Sequence, residues 1–141
     1  MDEEKKTGMV IFCWVAFAVT FLAGLGMFLA PAQISELAGI PAGGSFNPYF
    51  IKLLGLILVA VSLCYFMANF DEDAARSLLF VASGEKVLAV LYTLAALFGG
   101  KVAARAWGVA LGDGLMAILG FYFVFSLSRT LWTDDNMDEE K

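Results

Sequence analysis

Polar and apolar positions along this chain are sorted into blocks rather than into an alternating or helical stripe. Continuous apolar runs occupy residues 9–30, 49–70, 78–98 and 106–128, separated by short polar breaks. One helical crossing of a bilayer core about 30 Å thick needs about 20 apolar residues, which each run supplies. Strands of a membrane barrel would instead show about ten residues of alternating polarity. The pattern therefore predicts an all-α integral membrane four-helix bundle. Four crossings run up-down-up-down and leave both termini on the same side.

The breaks support that topology. Pro31 is expected to end the first helix, and Pro41, Gly43, Gly44 and Pro48 punctuate the longest connection. Within it, residues 34–38 suit one interfacial helical turn. The connections 71–77 and 99–105 are short and impose antiparallel hairpins. The first run follows Lys5 and Lys6 and precedes Ala30-Pro31-Ala32, which gives it the outline of a secretory signal. A signal's apolar region is only about 7–15 residues, so the run is read as a retained membrane helix.

Composition sharpens the picture. A hydrophobic fraction of 60% with 16% charged residues lies outside the range of soluble domains. Between them, the runs, loops and tails leave room for a single membrane domain over residues 1–141. Much of the net charge of −5 sits in acidic tails, 1–8 and 133–141, expected to be solvated. No basic stripe with interleaved aromatics occurs, so nucleic acid is not an expected partner. The expected partners are membrane lipids, a second copy of the chain or a larger membrane complex. Histidine is absent altogether, which removes the usual haem ligand, the commonest metal ligand and the most versatile general base. No cofactor and no metal are expected.

Charge also suggests an orientation. Lys5, Lys6, Arg76, Arg129 and Lys141 fall on the side of the termini, and Lys101, Arg105 and Lys52 on or near the other. The positive-inside bias then places both termini in the cytoplasm, for a protein of a bacterial inner membrane. Trp107 and Tyr49 mark the outer boundary and Trp132 the inner one.

Against this apolar background, ionisable residues at membrane depth stand out, because each costs roughly 2.5–3.5 kcal/mol on insertion scales. Glu85 and Lys86 are adjacent in the third run, and Asp113 lies in the fourth, inside Gly112-Asp113-Gly114. Glu85 shares a helical face with Ala82, Ala89, Tyr92 and Ala96, so it is expected to point into the bundle. Lys86 is rotated from it by about 100° and is expected to reach Asp113. Lys52 is the other cation within range, free to pair with Asp113 or to snorkel to water. Ser62, Tyr65 and Asn69 of the second helix can complete hydrogen bonds to Glu85. Such a neutral set of four charges either fixes helix register or binds a proton, an ion or a polar headgroup.

Other features have simpler readings. Ala16, Thr20 and Gly24 form a stripe for packing within the bundle or across a dimer. Ala106, Ala110, Ala117 and Gly120 form a second, and Gly108 and Gly112 a third on another side of the same helix, read as a close approach to helix three. Cys13 and Cys64 fall at similar depth without a C-x-x-C spacing and are read as buried free thiols.

Several residues carry a resemblance. Leu29-Ala30-Pro31 ends the first helix, and Ile40-Pro41 and Pro48-Tyr49 precede the second. Gly84-Glu85-Lys86 stands in the third and Gly112-Asp113, followed by aromatics, in the fourth. In this order the chain resembles the small DoxX-like four-helix bacterial membrane proteins. The resemblance implies a compact bundle and roles around membrane redox, thiol or quinone metabolism. It transfers no catalytic residue, and the histidine of sterol-isomerase-type relatives is missing.

Taken together, the residues favour a non-enzymatic membrane protein, an accessory or assembly subunit that packs against itself or a larger partner. Two alternatives stay open. One is a proton- or ion-coupled small transporter using Glu85 and Asp113. The other is a lipid- or quinone-binding protein with Tyr65, Tyr92 and Glu85 around an intramembrane pocket.

Overall fold

The computed structural model describes residues 3–39 and 48–138, with side chains as far as residue 127 apart from that of Glu72. Every regular element among them is an α-helix: α1 Glu3–Leu29, α2 Pro31–Leu37, α3 Pro48–Met67, α4 Glu72–Phe98 and α5 Ala106–Asp138. Helices α1, α3, α4 and α5 are long and apolar enough to cross a membrane. The protein is thus the expected multi-pass helical bundle, with α2 as a short addition. Its packing is uneven: α1 pairs closely with α3, and α4 with α5, while the two pairs meet over a smaller area.

Helix ends extend past the apolar runs, for reasons visible in the sequence. Helix α1 begins at Glu3, so residues 3–8 of the expected tail are helical. Glu3 and Glu4 favour the positive end of the helix dipole, and the Thr7 hydroxyl donates to the Glu3 carbonyl at 3.0 Å. Helix α4 begins at Glu72 because the Asp71 carboxylate accepts from the Ala74 amide at 2.9 Å and caps it. Most of the expected loop 71–77 is therefore helix. Helix α5 continues through the acidic stretch to Asp138. Residues 1–2, 40–47 and 139–141 lie outside the described residues, including the punctuation at Pro41, Gly43 and Gly44. The side chains of Arg129 and Trp132 are likewise not among those described.

Pro31 ends α1 and at once starts α2, where its missing amide is no loss. The Ser35 hydroxyl donates to the Pro31 carbonyl at 2.6 Å. The turn expected over 34–38 is thus a helix over Pro31–Leu37, terminated by Gly39 at φ 80°. The Gly39 carbonyl then accepts from the Ala103 amide at 2.8 Å. This bond ties the first connection to the α4–α5 turn and fastens the two helix pairs at the end of the bundle away from the termini.

At the opposite end all four long helices share a core. Met9, Cys13 and Ala16 of α1 meet Tyr65 of α3, the adjoining Ala68, Ala75, Leu79 and Ala82 of α4, and Phe123 and Val124 of α5. Phe12 links three helices, edge-on to Tyr65 at 5.9 Å between ring centroids and tilted against Phe123 at 5.4 Å.

Small residues set the close crossings. A Cβ on Gly24 would stand 2.6 Å from the Gly55 carbonyl oxygen, so α1 and α3 touch backbone to backbone there. The stripe Ala16, Thr20, Gly24 is thereby used within the bundle. On α5 the buried seam is Ala106, Ala110, Ala117 and Gly120, and the Ser83 hydroxyl of α4 occupies the place where a Gly120 side chain would be. Gly108 and Gly112 behave differently from expectation. Neither has an atom within 4 Å of where a Cβ would stand, so the third stripe does not approach α4. A single helix face is enough to meet one neighbour, and the alanine seam already serves as that face.

Candidate functional site

Helix α4 presents Ala75, Leu79, Ala82 and Lys86 inward, a spacing that returns to one face over about three turns. Lys86 is consequently only 4% exposed. Its Nζ lies 3.2 Å from Glu85 Oε2 and 3.2 Å from Asp113 Oδ1. The expected contact between Lys86 and Asp113 is present, and it crosses from α4 to α5. The order of burial is the reverse of the expected one. The side chains of Glu85 and Asp113 are 23% and 19% exposed, so Lys86 is the inner residue and the carboxylates flank it. Its long stem accounts for this, filling apolar space while the ammonium reaches along the seam.

The site sits deep. Lys86 is about 18 Å from the Phe98 end of α4 at a rise of about 1.5 Å per residue. At such depth a charge without a partner is costly, and two carboxylates answer one ammonium here. With all three groups ionised the set carries one surplus negative charge.

The remaining predicted residues divide sharply. Tyr65 is 0% exposed and its hydroxyl has no hydrogen-bond partner among the described residues. Ser62 is buried, but its hydroxyl donates to the Val59 carbonyl of its own helix at 2.6 Å. Asn69 similarly donates to the Tyr65 carbonyl at 3.1 Å. Ser62 and Asn69 thus direct these bonds to α3 itself and not to Glu85. Tyr92 is 74% exposed and faces outward, so no pocket is lined jointly by Tyr65, Tyr92 and Glu85. Lys52 is exposed as well, which leaves a three-charge set in place of the expected four.

Two further hydroxyls belong to the description. Thr20 of α1 and Ser83 of α4 are buried, and their oxygens have no hydrogen-bond partner among the described residues. The sequence marks Thr20 only as a small residue of the α1 stripe and gives Ser83 no distinguishing motif. The available signal was a hydroxyl inside an apolar run, one turn from a charged residue in the case of Ser83. Cys13 is wholly buried, Cys64 partly so, and both are free thiols. No group of three or more metal-ligating side chains occurs among the described residues.

Chemically, the triad can hold two transmembrane helices in register, and it can balance a small cation. Glu85 and Asp113 are acceptors when ionised, and Lys86 is a donor to both. Comparison of the chain with family models, with curated proteins and with solved structures returns no match.

Proposed function

We propose that the protein is a non-enzymatic accessory or assembly subunit of a membrane complex, packing against a larger partner or a second copy. The observation that carries this reading is that Glu85 is met by Lys86, which is itself shared with Asp113. Charges closed on each other in this way suit a device that fixes helix register more than a group awaiting substrate. Supporting it, Gly108 and Gly112 leave open space on the outer surface of α5, where another helix can approach. The positive-inside bias argues for cytoplasmic termini in a bacterial inner membrane. The DoxX-like resemblance is proposed on the same footing, from the residues that carry it.

The test is isolation of the full chain from its native membrane in lipid nanodiscs, followed by native mass spectrometry. The reading expects a defined homo-oligomer or a stoichiometric membrane partner. A monomer without any partner would overturn it.

A further inference from the structure

Away from the ionic triad, the outer surface between α4 and α5 carries a groove of about 360 Å³ toward the end of the bundle that holds the termini. Arg76 and Ser77 line its end nearer the start of α4, the exposed Phe80, Val81 and Phe125 its walls, and the buried Val124 its floor. Phe80 stands edge-on to Phe121 of α5 at 5.8 Å between ring centroids, so one wall is braced across both helices. We propose that this groove binds one zwitterionic phospholipid of the leaflet on the side of the termini, with its phosphate on Arg76 and Ser77 and its headgroup ammonium on Asp73.

The order of chemistry along α4 selects the occupant. Asp73, then Arg76 and Ser77, then Phe80 and Val81, then Gly84 follow at helical spacings of three and four residues, so they share one face. From water inward, that face is acidic, then basic with a hydroxyl, then apolar. A zwitterionic phospholipid presents complementary parts in the same order: ammonium outermost, then phosphate, then glycerol and acyl chains. A phosphatidylglycerol headgroup would also place its phosphate on Arg76, but it brings no cation to Asp73.

The polar groups are available for such a ligand. Asp73, Arg76 and Ser77 are exposed, and none of their side chains forms an ion pair or hydrogen bond among the described residues. The neighbouring carboxylate of Asp71 is committed to the Ala74 amide as the helix cap. A guanidinium meets phosphate through two parallel N–H donors, and the Ser77 hydroxyl adds another donor. The apolar run begins at Leu78, which sets Arg76 and Ser77 at the headgroup boundary and Phe80 and Val81 inside the hydrocarbon. Gly84 has no atom within 4 Å of where a Cβ would stand, so an acyl chain leaving the groove can lie against the α4 backbone.

The experiment is native mass spectrometry of the full chain released from nanodiscs that contain equal amounts of phosphatidylethanolamine and phosphatidylglycerol with identical acyl chains. The expected result is one lipid retained per chain, with phosphatidylethanolamine favoured about two- to fivefold, as an exposed ion pair to Asp73 allows. Arg76→Gln should lower the retained fraction about tenfold, the loss of hydrogen bonds to a charged phosphate. Asp73→Asn should keep the lipid and bring the two headgroups to equality. Both residues are exposed, so both variants should fold. No retained lipid, or retention that is equal for the two headgroups or favours phosphatidylglycerol, would overturn the proposal. An Arg76→Gln protein that keeps the lipid at the wild-type level would overturn it too, as would an Asp73→Asn protein with an unchanged headgroup preference. The inference is independent of assembly: a partner-free monomer that retains the lipid would end the accessory-subunit reading alone.

Discussion

Gly24 and Gly55 face each other so closely that a Cβ built on Gly55 would stand 2.5 Å from the Gly24 carbonyl oxygen. Backbone, not a flexible side chain, blocks the space, so α1 and α3 must separate to admit even a methyl group. Gly24→Ala and Gly55→Ala are each expected to destabilise the bundle by about 1–3 kcal/mol, as overpacking does. Thermal unfolding in detergent or nanodiscs checks this, and unchanged Tm values would contradict the crossing described.

The two small-residue faces of α5 predict opposite phenotypes. Gly120 has the Ser83 hydroxyl lodged against it, whereas Gly112 borders open space. Gly120→Leu is expected to lower Tm sharply, because a core substitution cannot relax past α4. Gly112→Leu should leave Tm unchanged and disrupt association with a partner or second copy. Size-exclusion and native mass spectrometry of the two variants separate these outcomes.

The bond from the Ala103 amide to the Gly39 carbonyl joins the first connection to the α4–α5 turn at 2.8 Å. Gly39 is at φ 80°, and a Cβ there would meet Arg105 Cγ at 2.9 Å. Gly39→Val combines backbone strain with that clash and is expected to open this end of the bundle. Hydrogen exchange at Ala103 should then accelerate, while amides near Ala75 and Leu79 in the shared core keep their protection.

How much of this was legible in the sequence depended on what a bilayer leaves visible. Helix number and topology could be read because each crossing needs a long apolar run, which solvent exposure on a soluble protein would interrupt. Lys86–Asp113 could be read because charges at depth need partners. The inward face of α4 could not. In lipid, apolar residues gain nothing by turning inward, so hydrophobicity no longer marks the buried side. Ala89 and Ala96 suggest an inward face that carries Glu85 and Tyr92, yet the buried line is Ala75, Leu79, Ala82 and Lys86, with Tyr92 on the outside. Helix starts are hidden in the sequence for a different reason. The polar turns after the Asp71 cap and at Glu3 are helical without being apolar, so a hydropathy pattern passes over them.

Lys86 is held by two carboxylates, so its loss leaves both without a counter-charge. Lys86→Met is expected to destabilise the protein by about 3–5 kcal/mol, as breaking a buried pair does. The triple variant Glu85→Gln, Lys86→Met, Asp113→Asn removes all three charges and should recover most of that loss. Equilibrium unfolding of both variants checks the order. A triple variant as unstable as Lys86→Met alone would show that charge balance is not what the site provides.

The most direct measurement of the central claim is a double-mutant cycle on folding free energy in nanodiscs, using Lys86→Met and Asp113→Asn. A 3.2 Å ion pair across α4 and α5 predicts a favourable coupling of about 0.5–3 kcal/mol. Additivity to within about 0.3–0.5 kcal/mol would contradict it, and with it the view that this pair fixes the register of the two helices.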